Sequence, residues 1–263
     1  MRERIPVVVQ GRRPSPPRPP VVRVLWTGAE LAVTAGLVLL LFVAHQLWWT
    51  NRQAQAAARD QVDRLERQWD ARPPSPGPPP PGEGAADGAR GTGRTASPTT
   101  PGHRAAAPPP RPRTDLAYAV LRIPRLGLTA PVAEGTGKAA VLNRGYVGHY
   151  PHTAQPGEWG NVALAGHRNT HGEPFRHLDR LRPGDTVTLD TARTRATYTV
   201  RRVLPRTTPG DGSVLAAVPR SAVHPSYGFT APGAYLTLTT CTPAYTSTYR
   251  LVVWGVLRST QSR

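Results

Sequence analysis

The chain has 263 residues, a length that allows one or two domains, and its 31 prolines and 25 glycines are clustered. The formal net charge of +17 rests on arginine, because Lys138 is the only lysine. So basic a chain raises nucleic-acid binding, but it has no basic helix, no zinc-ligand spacing and no aromatic-basic stripe, and its arginines are spread over the tail, the linker and the domain. Attraction to anionic lipid or wall polymer is the better reading of the charge, and no nucleic-acid partner is expected. The single cysteine, Cys241, excludes an intramolecular disulfide.

Residues 1–24 form a polar, proline-rich tail with Arg2, Arg4, Arg12, Arg13, Arg18 and Arg23 against Glu3. Residues 25–49 are apolar, unbroken from Leu31 to Ala44. As a helix rising ~1.5 Å per residue this segment is about 37 Å long, enough to cross a bilayer core. Trp26 lies near one end and Trp48 and Trp49 at the other, where indoles favour the interface, and Glu30 and His45 avoid the centre. The leading arginines place the N-terminus in the cytoplasm and the rest of the chain outside. Ala54-Gln55-Ala56 has the small-residue pattern of a signal-peptide cleavage site, but the long apolar segment and long leader favour an uncleaved, single-pass membrane anchor.

Residues 50–71 predict a juxtamembrane helix with Val62, Leu65 and Trp69 on one stripe. That stripe is far shorter than three heptads, so a helical extension of the anchor is preferred over a dimerising coil. Pro73 and Pro74 end it. Residues 72–114 are rich in Pro, Gly and Ala, without apolar periodicity, and predict a disordered, partly polyproline tether.

A domain over 115–258 follows, with a short tail at 259–263. Its apolar runs are short and punctuated by turn signals, which predicts an all-β fold. Candidate strands span 117–123, 129–133, 145–148, 161–167, 186–190, 196–204, 235–241 and 250–257, with short helical turns at 175–181 and 213–218. Eight strands with little helix predict a closed or nearly closed barrel. Pro124, Pro131 and Pro205 are placed at strand ends or edges.

Within 235–241, period-two alternation puts Leu236, Leu238 and Thr240 on one face and Tyr235, Thr237, Thr239 and Cys241 on the other. Cys241 is then a thiol at a strand end, just before Thr242-Pro243. Most free cysteines are simply small buried hydrophobes, but a lone one in an exported chain is unusual. A nucleophilic thiol needs a base or cation nearby. Asn161 to His167 reads as a strand that delivers His167 to a strand mouth, and Arg250, nine positions after Cys241, returns to the same level if residues 242–249 close a hairpin. His149 and His152 form at most half of a zinc site, so no metal or other cofactor is expected.

Thr237-Leu238-Thr239-Thr240-Cys241, followed by Arg250-Leu251-Val252-Val253, resembles the T-L-x-T-C…R signature of sortases, and Leu164-Ala165-Gly166-His167-Arg168 resembles their histidine motif. Cys241-Thr242-Pro243 and the stretch from Gly148-His149-Tyr150-Pro151 to Pro156-Gly157-Glu158 are similar to class E sortases of high-GC Gram-positive bacteria. The resemblance covers about residues 115–258. It implies an eight-stranded sortase-like β-barrel and a transpeptidase with Cys241 as nucleophile, His167 as general acid and base, and Arg250 as oxyanion stabiliser. It also implies that Thr240 helps to shape the oxyanion hole as a substrate-binding residue, and that Tyr150 takes part in selecting the signal. The implied partners are surface proteins bearing an LAxTG-like or LPxTG-like sorting signal and an amine from a cell-wall precursor or a pilin lysine. An L,D-transpeptidase would carry a histidine close before its cysteine, which is absent here; an inactive, membrane-tethered binding barrel would have lost one of the three residues.

Overall fold

The computed structural model describes residues 20–71 and 116–263; the expected basic tail and proline-rich tether fall almost wholly outside the described residues. Helix α1 (Pro20–Asp70) is followed by strands β1 (Ala117–Ile123), β2 (Leu128–Glu134), β3 (Val147–His149), β4 (Gly160–Ala165), β5 (Thr186–Thr191), β6 (Thr194–Thr207), β7 (Ala234–Thr242) and β8 (Tyr249–Ser262). The contacts divide between Trp49 and Thr50 into two compact units. In the first, α1 exposes Leu31, Val33, Leu37, Val38, Leu40 and Phe42, and it is long and apolar enough to cross a membrane.

The second unit is built on a closed barrel in the order β1-β2-β3-β4-β7-β8-β6-β5. Most neighbours are antiparallel, but β2/β3 and β4/β7 are parallel. The eight-stranded barrel expected from the sequence is therefore present. Alternation sorts its side chains. Leu121, Leu164, Leu189, Leu236, Leu238, Leu251 and Val253 turn inward to one core. Val252 and Trp254 turn outward, yet they are buried because the long segment between β6 and β7 covers them with Val214, Tyr227 and Phe229.

Asp211 holds that cover. Its carboxylate accepts from the Thr207, Ser213 and Ser221 hydroxyls at 2.6, 2.7 and 2.5 Å and from the Ala222 N–H at 3.0 Å. Burial pushes the carboxyl upward, but these donors more than offset it, and the group titrates below the usual carboxylate value.

From Thr50 onward, α1 lies against the barrel. Ala54, Ala58, Val62 and Leu65, at helical spacing, are buried; Ala58 packs with Ala133, Val141 and Tyr146, and Val62 and Leu65 with Val120. Glu66 accepts from Arg122, and Arg263 lies over the Trp69 ring at 4.7 Å. The short apolar stripe read at 62, 65 and 69 thus meets the barrel of its own chain.

Several strand expectations shift, and β6 runs over Thr194–Thr207 rather than 196–204. Residues 142–144 form a 3₁₀ turn, and β3 starts at Val147. β4 ends at Ala165 because the chain turns away there, the Phe175 N–H closing on the His167 carbonyl at 3.0 Å. β8 runs on to Ser262, paired with the start of β6. Of the prolines, Pro131 is inside β2, ahead of its pairing with β3, and Pro205 falls in a register shift of β6, where no ladder donor is needed.

Asp211→Ala should lower the unfolding free energy by about 2–3 kcal/mol at neutral pH, by losing charge-assisted hydrogen bonds. The folded pKa lies below the unfolded one, so this stability is complete above the ordinary carboxylate range and is lost as pH falls through the depressed value. Urea titrations across pH should therefore show the gap between variant and parent closing in acid.

Candidate functional site

β7 is bonded along both edges. Toward β4 it is parallel, with Ala165 opposite Thr239; toward β8 it is antiparallel, with Cys241 opposite Arg250. Two residues beyond the Ala165/Thr239 pair, the same end of the barrel carries His167 and Cys241. The hairpin expectation for Arg250 is met by this register. Cys241 lies on the outer face with Thr237 and Thr239, and it is half-buried while both threonines are buried.

The Gly166–His167 turn is tied to β7 twice: the Gly166 N–H donates to the Thr239 carbonyl at 3.2 Å, and the Thr240 hydroxyl donates to the Gly166 carbonyl at 2.8 Å. Thr240 thus meets His167 through the neighbouring backbone. Tyr150, just after β3, lies on the outer face with its hydroxyl 3.2 Å from that of Thr239. All five residues singled out in the sequence are gathered by β4, β7, β8 and the β3 turn.

Arg250 donates through Nη1 to the carbonyls of Ser247 and Tyr249 at 2.9 and 3.0 Å. It makes no ion pair among the described residues, so its charge is not neutralised by a carboxylate. The His167 imidazole donates through Nε2 to the Asn143 amide oxygen at 2.9 Å, which leaves the lone pair of the neutral ring on Nδ1. The His171 ring stacks on it at 5.3 Å. Burial, then His171, then Lys138 push His167 below the usual histidine value, so the ring is neutral at pH 7.

Three residues at the site escaped sequence reasoning. Asn143 and His171 touch His167 from segments with no strand pattern. Arg168 bridges to the end of β7, donating through Nη1 to the Cys241 carbonyl at 3.4 Å and the Thr242 hydroxyl at 3.0 Å, while Nη2 pairs with Asp179 at 3.1 Å. The signal for Arg168 was its place next to His167.

His149, weighed as half of a zinc pair, is fully buried with other partners. Nε2 donates to the Ala154 carbonyl at 2.9 Å, and Nδ1 is 2.6 Å from Glu134. Among the described residues no cluster of His, Cys, Asp or Glu could hold a metal ion.

The model of the sortase domain family matches residues 121–258. The chain is 39% identical over 254 residues to sortase SrtE1 of Streptomyces coelicolor, an alignment spanning 94% of this chain but 61% of that relative's length. It is 34% identical over 237 residues to sortase SrtE2 of the same organism, spanning 88% of this chain and 81% of the relative. Among solved structures it is similar to sortase E1 of Streptomyces coelicolor with a tripeptide in the active site, at 44% identity and a TM-score of 0.54, covering 58% of this chain and 94% of that one.

Because Arg168 ties down the strand end after Cys241, Arg168→Ala should speed amide hydrogen exchange roughly ten-fold over residues 244–247, just past β7, while β4 and β7 stay protected. A ten-fold change corresponds to about 1.4 kcal/mol of local opening, the size of one lost charge-assisted hydrogen bond.

Proposed function

The chain belongs to the sortase family, and from that premise we propose that it is a membrane-anchored cysteine transpeptidase whose nucleophile is Cys241. The observation that carries this reading is the register that sets Cys241, half-exposed at a strand end, opposite an arginine with no carboxylate partner among the described residues. Sortases act on sorting-signal proteins and amine acceptors, and the tripeptide in the active site of the Streptomyces coelicolor enzyme supports a peptide ligand here.

The chemistry follows from the groups present. Cys241 Sγ attacks the carbonyl carbon of the threonine in a C-terminal sorting signal. The thiol proton passes to His167, whose neutral ring is ready to accept it. The tetrahedral oxyanion forms beside Arg250, where a fixed cation stabilises it. The bond to the following glycine then breaks, with His167 giving its proton to the leaving amine, and a thioacyl-enzyme remains. In the second half His167 deprotonates an incoming amine, from a cell-wall precursor or a pilin lysine. That amine attacks the thioester, and the thiolate leaves with a proton returned from His167.

Tyr150, bonded to Thr239 two residues before the nucleophile, lines the approach and is our choice for reading the second signal residue, alanine or proline. Thr240 acts on the site by holding the Gly166–His167 turn. The catalytic domain spans 115–258, carried outside the membrane on the 25–49 anchor and the 72–114 tether, with the N-terminus in the cytoplasm.

Cys241→Ala should abolish thioester formation with a sorting-signal peptide while the fold persists; continued peptide cleavage by this variant would sink the reading. His167→Ala should be inactive, and Arg250→Ala should lose at least a hundred-fold in kcat/KM, about 2.7 kcal/mol of transition-state stabilisation. Mass spectrometry of peptide and trapped enzyme reads all three. Separately, a reporter fused after Arg263 should be active only outside the membrane; cytoplasmic activity would reverse the orientation.

A further inference from the structure

The His167 ring is held by two neighbours, and neither belongs to β7 or β8. Asn143, in the 3₁₀ turn Leu142–Arg144, accepts from its Nε2. His171, in the loop after β4, stacks on its face. Both supports end in a glycine with left-handed φ: Gly145, +79°, closes the Asn143 turn, and Gly172, +84°, follows His171.

These two glycines meet the same object. A Cβ on Gly145 would lie 2.9 Å from the Ala54 carbonyl oxygen of α1, and a Cβ on Gly172 would lie 3.5 Å from the Gln55 nitrogen. The helix backbone at Ala54 and Gln55 is therefore seated on both supports, at Gly145 closer than a Cβ allows and at Gly172 in ordinary contact, where the left-handed φ is what favours glycine. At Gly172 the contact is also polar. Its N–H donates to the Asn51 side-chain oxygen at 2.6 Å, and its carbonyl accepts from Gln55 Nε2 at 3.3 Å. One turn of helix thus holds both backbone groups of one glycine.

The loop needs such a hold. His171, Gly172 and Glu173 have φ of 52°, 84° and 50°, three successive residues in the left-handed region, two of them with a Cβ. Backbone in that state persists where its surroundings enforce it. Within the loop, the Glu173 N–H reaches the Thr170 carbonyl and Glu173 accepts from Arg176, while His171 Nδ1 is buried with no hydrogen-bond partner among the described residues. The enforcing contacts on Gly172 come from α1.

We propose that Asn51 and Gln55 are positioning residues for catalysis: by clamping Gly172, the helix segment that starts at Thr50 holds His171 against His167 and closes the histidine from water. The inference rests on the role of His167 given above, and it adds that the barrel's histidine is set by a helix outside the barrel. The groups that face the His167 ring are His171 from its own loop and Lys138 and Asn143 from the segment before β3; Arg168, next in the same loop, turns instead to the end of β7 and to Asp179, and Arg250 to the Ser247 and Tyr249 carbonyls. The clamp acts on His171 and on the burial of the ring, the two largest influences that keep His167 neutral.

The test uses the full chain in detergent, with steady-state cleavage of a sorting-signal peptide followed against pH. Asn51→Ala combined with Gln55→Ala is expected to lower kcat about ten-fold with KM unchanged and to move the histidine limb of the pH profile upward, as burial is lost. Asn51→Asp, which keeps an acceptor for the Gly172 N–H, should behave like the parent. Glu66→Gln, which loosens the same helix at Arg122 without touching Gly172, should leave kcat and the pH profile unchanged. An unaltered kcat and profile in the double variant would overturn the clamp, and so would a Glu66→Gln variant that matched the double variant, since the effect would then belong to helix docking in general. His167→Ala, run alongside, separates the two readings: if it turns over normally, the role of His167 itself is wrong, whereas a dead His167→Ala beside a fully active double variant removes only the clamp.

Discussion

The register of β7 is the constraint on which the site depends. In a strand the side-chain period is two, so a slip of one residue would carry Cys241 from the outer face to the apolar interior and bring Leu238 and Leu236 out. Two independent ladders forbid that slip. β8 fixes β7 through a long antiparallel run that pairs Cys241 with Arg250 and ends at Thr242 and Tyr249, and β4 fixes it through six parallel pairs ending at Ala165 and Thr239. Closure of the barrel makes the two ladders mutually consistent, because β4 returns to β8 the other way round through β3, β2, β1, β5 and β6. Cys241, Arg250 and the Gly166–His167 turn are placed by one shared set of backbone hydrogen bonds.

Around that frame the polar groups divide by task. The outer face of β7 and β8 would expose Thr237, Val252 and Trp254, but the segment held by Asp211 covers them, and the Val214 carbonyl accepts from the Trp254 indole at 3.2 Å. At the β3 end, the buried His149 lies between Glu134 and the Ala154 carbonyl and also meets the Thr153 hydroxyl at 2.8 Å; that hydroxyl in turn donates to the Tyr150 carbonyl at 2.7 Å. Burial and Glu134 raise the pKa of nearby Tyr118, which remains a neutral hydroxyl in this network. The network thus secures the turn that presents Tyr150. Polar burial is tolerated here because its members are mutually satisfied.

Much of this was legible in the residues because it is local. The alternation in 235–241 announces which face carries Cys241, and the nine-residue spacing to Arg250 is a hairpin that can be counted. His167 was found for a related reason, though the strand stops two residues before it. What could not be read is what arrives across a crossover or from a distant segment. The parallel pairing of β4 with β7 has no local spacing rule, since the connection between them spans two further strands. Asn143, His171 and Arg168 sit in turns whose composition looks like any other loop. The stripe of Val62 and Leu65 was visible, but its partner was not, because an amphipathic helix declares that it has a buried face without saying what covers it.

That last ambiguity bears on how the site is stabilised. The three residues around the chemistry come from two kinds of support. Cys241 and Arg250 are on ladder positions, where each backbone group is fixed by a neighbour on the sheet. His167 is off the ladder, one residue beyond the last hydrogen bond to β7, and its ring is oriented by side chains on two loops. Loop-borne groups have a smaller free-energy cost of opening than strand-borne ones. The histidine is therefore the member of the set whose geometry is most open to influence from outside the barrel. α1 bonds both backbone groups of Gly172 in the loop that carries His171, meets Arg122 on the wall through Glu66, and makes its apolar contacts through Ala58, Val62 and Leu65. The apolar contacts supply the adhesion, and the polar ones decide where along the barrel the helix comes to rest.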